Sequence, residues 1–220
     1  MIMKLSIIKY YCSFLVILLL AACKKDPDVT ITDTQIGESK ITYFVDMSLK
    51  GDEFVAIVKG QPFTDPGVTA TEKGQPVDVK VSGSVNTAQM GIYPITYSAV
   101  NKDGFAKSIK RYVAVLPEAP DPSVDLSGTY ASGTSPQATI TKISDGLFYT
   151  TNCWGGGSVV VIPGLYICTD GKNVYLPDQT IGEHVVGDPG TYVNGVITMT
   201  VTRPDFPGGP LVRLKVWTKL

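Results

Sequence analysis

The chain reads Tyr93-Pro94-Ile95-Thr96-Tyr97-Ser98-Ala99-Val100, continues through Asn101-Lys102-Asp103-Gly104, and then enters a second extended run from Phe105 to Val115. Apolar side chains recur at every second position of the first run, which is the period of a strand with one buried face. The glycine of the intervening segment is available for positive φ, so this segment predicts a hairpin turn. The pattern therefore predicts two antiparallel strands joined by this turn. Apolar residues also alternate at Val77, Val79 and Val81, which predicts another strand earlier in the chain.

The composition extends this prediction to most of the chain. The 220 residues include 22 Gly and 15 Pro, with abundant Val, Thr and Tyr. Gly and Pro are the most costly residues inside a helix, whereas β-branched and aromatic side chains suit a pleated sheet. The predicted fold class is all-β.

The first 23 residues predict an exported, membrane-anchored protein. Lys4 and Lys9 precede an apolar run from Phe14 to Ala22, which is too short to span a hydrocarbon layer of about 30 Å. The run ends in Leu20-Ala21-Ala22-Cys23, which resembles the lipobox of bacterial lipoproteins. This resemblance implies that residues 1–22 are a cleaved signal peptide and that Cys23 carries lipid.

Residues 23–37 predict a lipidated tether, because they are polar and are interrupted by Pro27. The stretch Lys24-Lys25-Asp26-Pro27-Asp28 resembles the surface-export signal of Bacteroidetes lipoproteins, and a plain solvated spacer is the alternative. Loss of Lys4 and Lys9 with the leader reduces the 19 basic residues to 17, against 20 acidic residues. Without a basic cluster, the chain offers no surface for nucleic acid.

Three stretches occur in order within residues 38–116: Gly60–Thr71, Val81–Thr87 and Gly91–Ala99. In their order and spacing they resemble the immunoglobulin-like (Ig-like) repeats of bacterial cell-surface proteins. The resemblance implies a β-sandwich that serves as a spacer. The Cys…Trp…Cys framework of antibody domains is absent from the sequence, so the resemblance concerns the architecture.

A proline-rich linker follows at residues 117–123, where Pro117, Pro120 and Pro122 favour extended geometry. We place a domain boundary here. A stiff linker is expected to hold the second domain away from the first.

Residues 124–220 predict a second antiparallel β-domain, a meander barrel or a sandwich. Its first strand, in Asp125–Tyr130, resembles the opening strand of lipocalin-like barrels. Tight turns are predicted at Asp145-Gly146, Asp170-Gly171 and Asn194-Gly195. Strands are predicted at 128–130, 138–143, 147–152, 158–162, 165–169, 173–176, 196–203 and 211–220.

The sequence of this domain contains no pattern that indicates a catalytic site. The only histidine, His184, has Glu183 and Asp188 as neighbours that could join it at a metal, but adjacent glycines favour a loop histidine. Carboxylates of the domain lie mostly next to Gly or Pro, where they cap turns. The chain is therefore expected to be a non-enzyme without metal or cofactor.

Two cysteines remain after Cys12 is removed with the leader and Cys23 is lipidated. An exported location permits a disulfide between Cys153 and Cys168, and two reduced buried thiols are the alternative.

Aromatic side chains are the candidate ligand-binding residues, because sugar rings stack on flat exposed aromatics. Trp154 lies in a glycine-rich segment, and Trp217 shares strand parity with Arg213 and Lys215, opposite Val212, Leu214 and Val216. Tyr166 and Tyr175 complete the predicted set. Burial in the core is the competing interpretation for both tryptophans.

These features together resemble accessory surface lipoproteins of polysaccharide-utilisation systems in Bacteroidetes. The expected function is noncatalytic capture of a polysaccharide by residues 124–220, at the cell surface and anchored in the outer membrane. The alternative is a structural or adhesion module that binds an envelope protein or matrix, and a small-molecule carrier is a third. Exposed coplanar aromatics would favour the first, a broad apolar patch the second, and an internal cavity the third.

Overall fold

The computed structural model describes residues 41–155 and 160–220, and this part of the chain is all-β. It contains no helix long and apolar enough to cross a membrane. The signal peptide, Cys23 and the tether lie outside the described residues, so their assignments remain predictions. The strands of the first half are β1 (Asp46–Leu49), β2 (Phe54–Val58), β3 (Val68–Glu72), β4 (Gln75–Pro76), β5 (Lys80–Ser82), β6 (Gly91–Val100) and β7 (Ala106–Leu116).

These strands form a three-stranded sheet, β1-β3-β4, and a four-stranded sheet, β2-β7-β6-β5. The predicted hairpin is confirmed as β6 and β7, which pair Val100 with Ala106 across the turn. Asn101 stabilises the turn, because its side-chain oxygen accepts the backbone N–H of Phe105 at 2.7 Å. Side chains from both sheets form the core, among them Met47 and Ala70 of the three-stranded sheet and Tyr97 and Val113 of the four-stranded sheet.

A buried arginine connects this core to the segments that precede β2 and β3. Arg111 on β7 is fully buried and forms an ion pair with Asp65. The Arg111 guanidinium also donates to the carbonyl oxygens of Lys50 at 2.6 Å and Asp52 at 3.0 Å, and the Tyr97 hydroxyl donates to Asp65 at 2.6 Å. Burial opposes ionisation of Asp65, but the bonds from Tyr97 and Gly67 and the Arg111 charge lower its pKa overall.

The described residues of the second domain, 124–155 and 160–220, form a nearly closed meander barrel. The sheet order is β11-β10-β9-β8-β16-β15-β14-β12, and β13 also pairs with β15. Ile167 and Tyr175 exchange two backbone hydrogen bonds of 2.8 and 2.9 Å, which join the two ends of the sheet. The strands are β8 (Gly128–Ala131), β9 (Ala138–Ser144), β10 (Leu147–Thr150), β11 (Gly164–Ile167), β12 (Asn173–Val174), β13 (Val186–Gly187), β14 (Gly190–Val193), β15 (Val196–Arg203) and β16 (Leu211–Lys219).

The all-β prediction is confirmed, and the second domain is the barrel rather than the sandwich. Buried aromatic and aliphatic side chains fill the barrel, including Tyr130, Phe148 and Met199. This packing removes the support for a lipocalin-like carrier, which needs an internal cavity. The strand predicted at 196–203 has the observed bounds, whereas β13 and β14 were not predicted. The strand predicted at 158–162 lies partly outside the described residues, and its described end is not a strand.

The barrel packs directly against the Ig-like domain. The second half of β7 is buried on both faces, and its residues Tyr112, Ala114 and Leu116 share one apolar cluster with barrel residues Leu147 and Leu165. The linker also contacts the barrel, because Asp121 donates its backbone N–H to Thr169 at 2.9 Å. The expectation that the linker holds the domains apart is therefore wrong, since extended proline geometry does not prevent lateral packing.

Candidate functional site

Three of the four predicted ligand-binding aromatics are buried. Trp154 is 2% exposed, and Trp217 and Tyr166 are each 1% exposed. Tyr175 is half-buried and packs against the apolar cluster between the domains. The expectation of exposed stacking surfaces is therefore wrong for Trp154, Trp217 and Tyr166, and the competing interpretation, burial in the core, describes both tryptophans.

Cationic side chains cover Trp154. The Arg203 and Arg213 guanidinium carbons lie 5.4 and 5.7 Å from the Trp154 ring centroid, and Lys215 Nζ lies 5.0 Å from it. Lys215 Nζ also donates to the Gly155 carbonyl at 2.5 Å. Burial, followed by the Arg213 charge, lowers the pKa of Lys215.

Gly155 shows why the glycine-rich segment does not leave the indoles open. A Cβ atom at Gly155 would lie 2.5 Å from Cζ2 of Trp217, so glycine lets the backbone approach the ring. The residue also has a φ of 48°, in the left-handed region. Glycine at this position therefore promotes burial of an aromatic ring.

The alternation of β16 separates a partly buried face from an exposed aliphatic face. Lys215 and Trp217 are buried. Val212, Leu214 and Val216 are 56%, 67% and 43% exposed. Within the charged parity Arg213 is exposed, whereas Lys215 and Trp217 face inward, and Lys215 lies over the Trp154 ring there.

The exposed aliphatic residues belong to a larger uncharged surface. Strand register places Thr198, Thr200 and Thr202 of β15 opposite Val216, Leu214 and Val212 of β16, and directly paired residues share a face. The pairs Thr191 with Thr198 and Val193 with Val196 extend the surface onto β14. We call this surface the Thr/Val face: Thr191, Val193, Val196, Thr198, Thr200, Thr202, Val212, Leu214, Val216 and Thr218.

A groove of about 530 Å³ lies between the two domains. Tyr93 lines it, and the Tyr93 ring lies over Gly91, where a Cβ atom would be 3.2 Å from the ring. The Tyr93 hydroxyl donates to the Gln89 carbonyl at 2.9 Å. Polar side chains of Gln89, Asp178 and Thr180 also line this interdomain groove, which thus combines a partly exposed ring with hydrogen-bonding groups.

His184 is engaged in ion pairs. Its Nδ1 lies 2.8 Å from Asp205 and its Nε2 lies 2.9 Å from Asp178. The hydrogen bond to Asp205 is the main cause that raises the pKa of His184; burial opposes this rise, and the hydrogen bond and charge of Asp178 add to it. Both ring nitrogens are occupied by exposed carboxylates, and the described residues contain no cluster of metal-ligating side chains.

Cys153 and Cys168 are free buried thiols. They lie at opposite ends of the β10–β11 hairpin: Cys153 donates its N–H to Ile162, whereas Cys168 donates to Gly146. Six or seven strand residues between these points correspond to about 20 Å. A disulfide needs Cα atoms within about 7 Å, so the disulfide alternative is wrong for this register.

Comparisons with known proteins support the first domain. Residues 47–115 match the family described as "Bacterial surface protein, Ig-like domain", which confirms the Ig-like prediction for this segment. No curated protein sequence is significantly similar to the chain.

Two solved structures are similar to the chain over about four fifths of its length. One is a lipoprotein from Bacteroides thetaiotaomicron, at 26% identity over 80% of this chain and 100% of that chain, with a TM-score of 0.40. The other contains the CBM51-2 domain, in complex with GlcNAc, and INT domains of ZmpB from Clostridium perfringens, at 15% identity over 79% of this chain and 43% of that chain, with a TM-score of 0.31.

Proposed function

We propose that the protein is a noncatalytic, lipid-anchored protein of the bacterial outer membrane that binds another protein at the cell surface. The match of residues 47–115 to a family of bacterial surface proteins supports the location, and the sequence that ends in Cys23 supports the anchor. The protein-binding role depends on the Thr/Val face.

The exposure of Val212, Leu214 and Val216 carries this proposal. Complete burial of a leucine side chain is worth about 1.5–3 kcal/mol, so covering the exposed two thirds of Leu214 contributes about 1–2 kcal/mol. The ten residues of the Thr/Val face include no charged side chain, and a partner therefore removes little strongly hydrated surface when it docks. An uncharged apolar surface of this kind is typical of protein interfaces.

Site-specific crosslinking tests the proposal in intact cells. A photoreactive amino acid at Thr200 is expected to crosslink a defined protein, while the same residue at Val100, which is exposed on β6, is not. The identified partner is then purified and titrated with the wild type, Leu214→Ser and Val100→Ser.

Leu214→Ser is expected to weaken the Kd at least tenfold, because it removes the most exposed apolar side chain of the surface and adds a hydroxyl group. Val100→Ser is the matched control, because Val100 is also about half exposed but lies outside the Thr/Val face. Equal affinities of the two variants would show that the Thr/Val face is not the binding site.

Glycan capture is the second candidate, and the interdomain groove supports it. The Tyr93 ring offers an apolar surface for a sugar ring, while Gln89, Asp178 and Thr180 offer hydrogen-bond donors and acceptors. A screen of residues 24–220 on a glycan array would identify a ligand, and Tyr93→Ala should then weaken binding at least fivefold. A role in a polysaccharide-utilisation system would follow from this candidate. Binding that is unchanged in Tyr93→Ala would exclude the groove.

A further inference from the structure

Exposed aromatic side chains cluster at one end of the Ig-like domain. Phe44 is 67% exposed and Phe105 is 51% exposed, and their rings form an edge-to-face pair with centroids 5.6 Å apart. Tyr43 lies beside them with Lys73 Nζ 3.8 Å from its ring centroid. We call Tyr43, Phe44, Phe105 and Lys73 the aromatic pole.

The fold holds the aromatic pole in place. Asn101 Nδ2 donates to the Tyr43 carbonyl at 2.7 Å, and its Oδ1 accepts the N–H of Phe105, so one side chain joins the two segments. The Lys102 N–H donates to the Glu72 carboxylate at 3.0 Å and thereby attaches the neighbouring turn. These bonds keep two phenyl rings facing solvent.

The aromatic pole lies where the chain from the lipid attachment site enters the domain. Residue 42 begins the compact unit that extends to Leu220, so Tyr43 and Phe44 are its second and third residues and lie six and seven residues after the end of the tether. It lies at the start of β7, whereas Leu116 at the other end of β7 contacts the barrel cluster. Ten residues of strand separate these ends by about 33 Å. The pole and the barrel therefore occupy opposite ends of the Ig-like domain.

We propose that the aromatic pole docks on the lipid bilayer, with the Phe44 and Phe105 rings in the headgroup region. This inference rests on the proposed lipidation of Cys23. The short stretch of chain between Cys23 and Tyr43 keeps the pole near the bilayer surface, which raises its effective concentration there. Aromatic rings with an adjacent lysine suit a membrane interface, where the apolar part is buried and the polar part remains in water.

The charges around the pole indicate how it docks. Acidic and basic side chains balance there, so attraction to anionic lipid contributes little, and burial of the two phenyl rings provides the free energy. Docking is therefore expected to be insensitive to salt and to anionic lipid. The charged residues are Lys73, Lys102, Lys107, Asp46, Glu72 and Asp103.

Fluorescence quenching in proteoliposomes tests the inference. The full-length lipoprotein with Lys102→Cys is labelled with an environment-sensitive fluorophore and reconstituted in phosphatidylcholine vesicles that contain spin-labelled lipid. Cys153 and Cys168 are fully buried, so the introduced thiol reacts selectively. The control carries the label at Val193→Cys on the barrel.

We expect at least threefold stronger quenching at position 102 than at position 193, unchanged between low and high salt. Phe44→Ser combined with Phe105→Ser should reduce the quenching to the control level. Flotation with the vesicles reports the lipid anchor separately, and tryptophan fluorescence reports that the barrel remains folded.

Weak quenching at position 102 in a protein that floats would overturn the docking and leave the anchor intact, and it is the result expected if the pole binds a protein instead of lipid. Quenching that disappears at high salt would overturn the apolar mode of docking. A protein that does not float would overturn the proposed anchor and the docking with it.

Discussion

Leu116→Ala should destabilise the barrel, although Leu116 belongs to a strand of the Ig-like domain. Leu116 is buried in the cluster shared by β7 and the barrel. Its Cδ1 atom lies 3.1 Å from the position that a Cβ atom would take at Gly146, between β9 and β10. Truncation of a buried leucine to alanine typically costs about 2–5 kcal/mol, because apolar contact is lost and a cavity remains.

Urea denaturation followed by tryptophan fluorescence measures this effect. Trp154 and Trp217 both lie in the barrel core, so their emission reports the unfolding of the barrel. With a loss of about 3 kcal/mol and a urea dependence of about 2 kcal/mol per molar, the midpoint should fall by about 1.5 M.

Leu214→Ala is the matched control, because the same chemical change occurs at a mostly exposed leucine. Its effect on the free energy of unfolding should stay within about 0.5 kcal/mol. The reasoning is refuted if the tryptophan-monitored midpoint moves no further in Leu116→Ala than in this control, since the barrel would then not sense the removal of the β7 side chain.

Three further predictions concern groups inside the two domains. Asp65→Asn should destabilise the protein by about 3 kcal/mol at pH 7, because it leaves Arg111 buried without its ion pair. The pKa of Asp65 is lowered in the folded state, so the difference in free energy of unfolding between the variant and the wild type, measured by urea titration, should disappear as the pH falls through and below 3.8. Cys153 and Cys168 should react with a thiol reagent only after unfolding, and a two-dalton gain on reduction of the native protein would contradict the free thiols. Gly155→Ala should lower the Tm by several degrees, because the new methyl group meets an indole ring at a positive φ; an unchanged Tm would show that this segment is not packed as described.

Local patterns in the sequence predicted strands better than they predicted faces. The hairpin of β6 and β7 and the bounds of β15 follow from alternation and turn residues alone. Alternation in β16 identifies two faces, but it does not show which one is buried. Trp217 was expected on an exposed face with Arg213 and Lys215, yet Trp217 and Lys215 are buried.

One stretch of the sequence indicates that the two domains pack together, although the proline-rich linker after it suggests that they are separated. Residues 112–116 are apolar at consecutive positions, which is the pattern of a strand buried on both faces. One face of β7 packs in the Ig-like core. Its other face is also apolar and must be covered by a second layer, which is the barrel. The prolines that follow predict an extended chain correctly, but they do not determine whether the domains touch.

The candidate surfaces depend on contacts between distant segments, and single stretches of sequence do not reveal these contacts. Trp154 is buried by cations from β15 and β16, far along the chain from its glycines. The two thiols are separated by the register of one hairpin, which no spacing rule provides. The Thr/Val face similarly requires the pairing of Thr200 with Leu214.

The parallel pairing of β2 with β7 has a mechanical consequence. Five residue pairs join these strands, from Phe54 with Tyr112 to Val58 with Leu116. If a membrane tether pulls the chain before β1 while a bound partner pulls the barrel after β7, the two neighbouring strands are drawn in opposite directions along their common axis. Their hydrogen bonds lie across that axis and share the load in shear, so they must break together rather than one at a time. The Ig-like domain is therefore built to resist tension along its length.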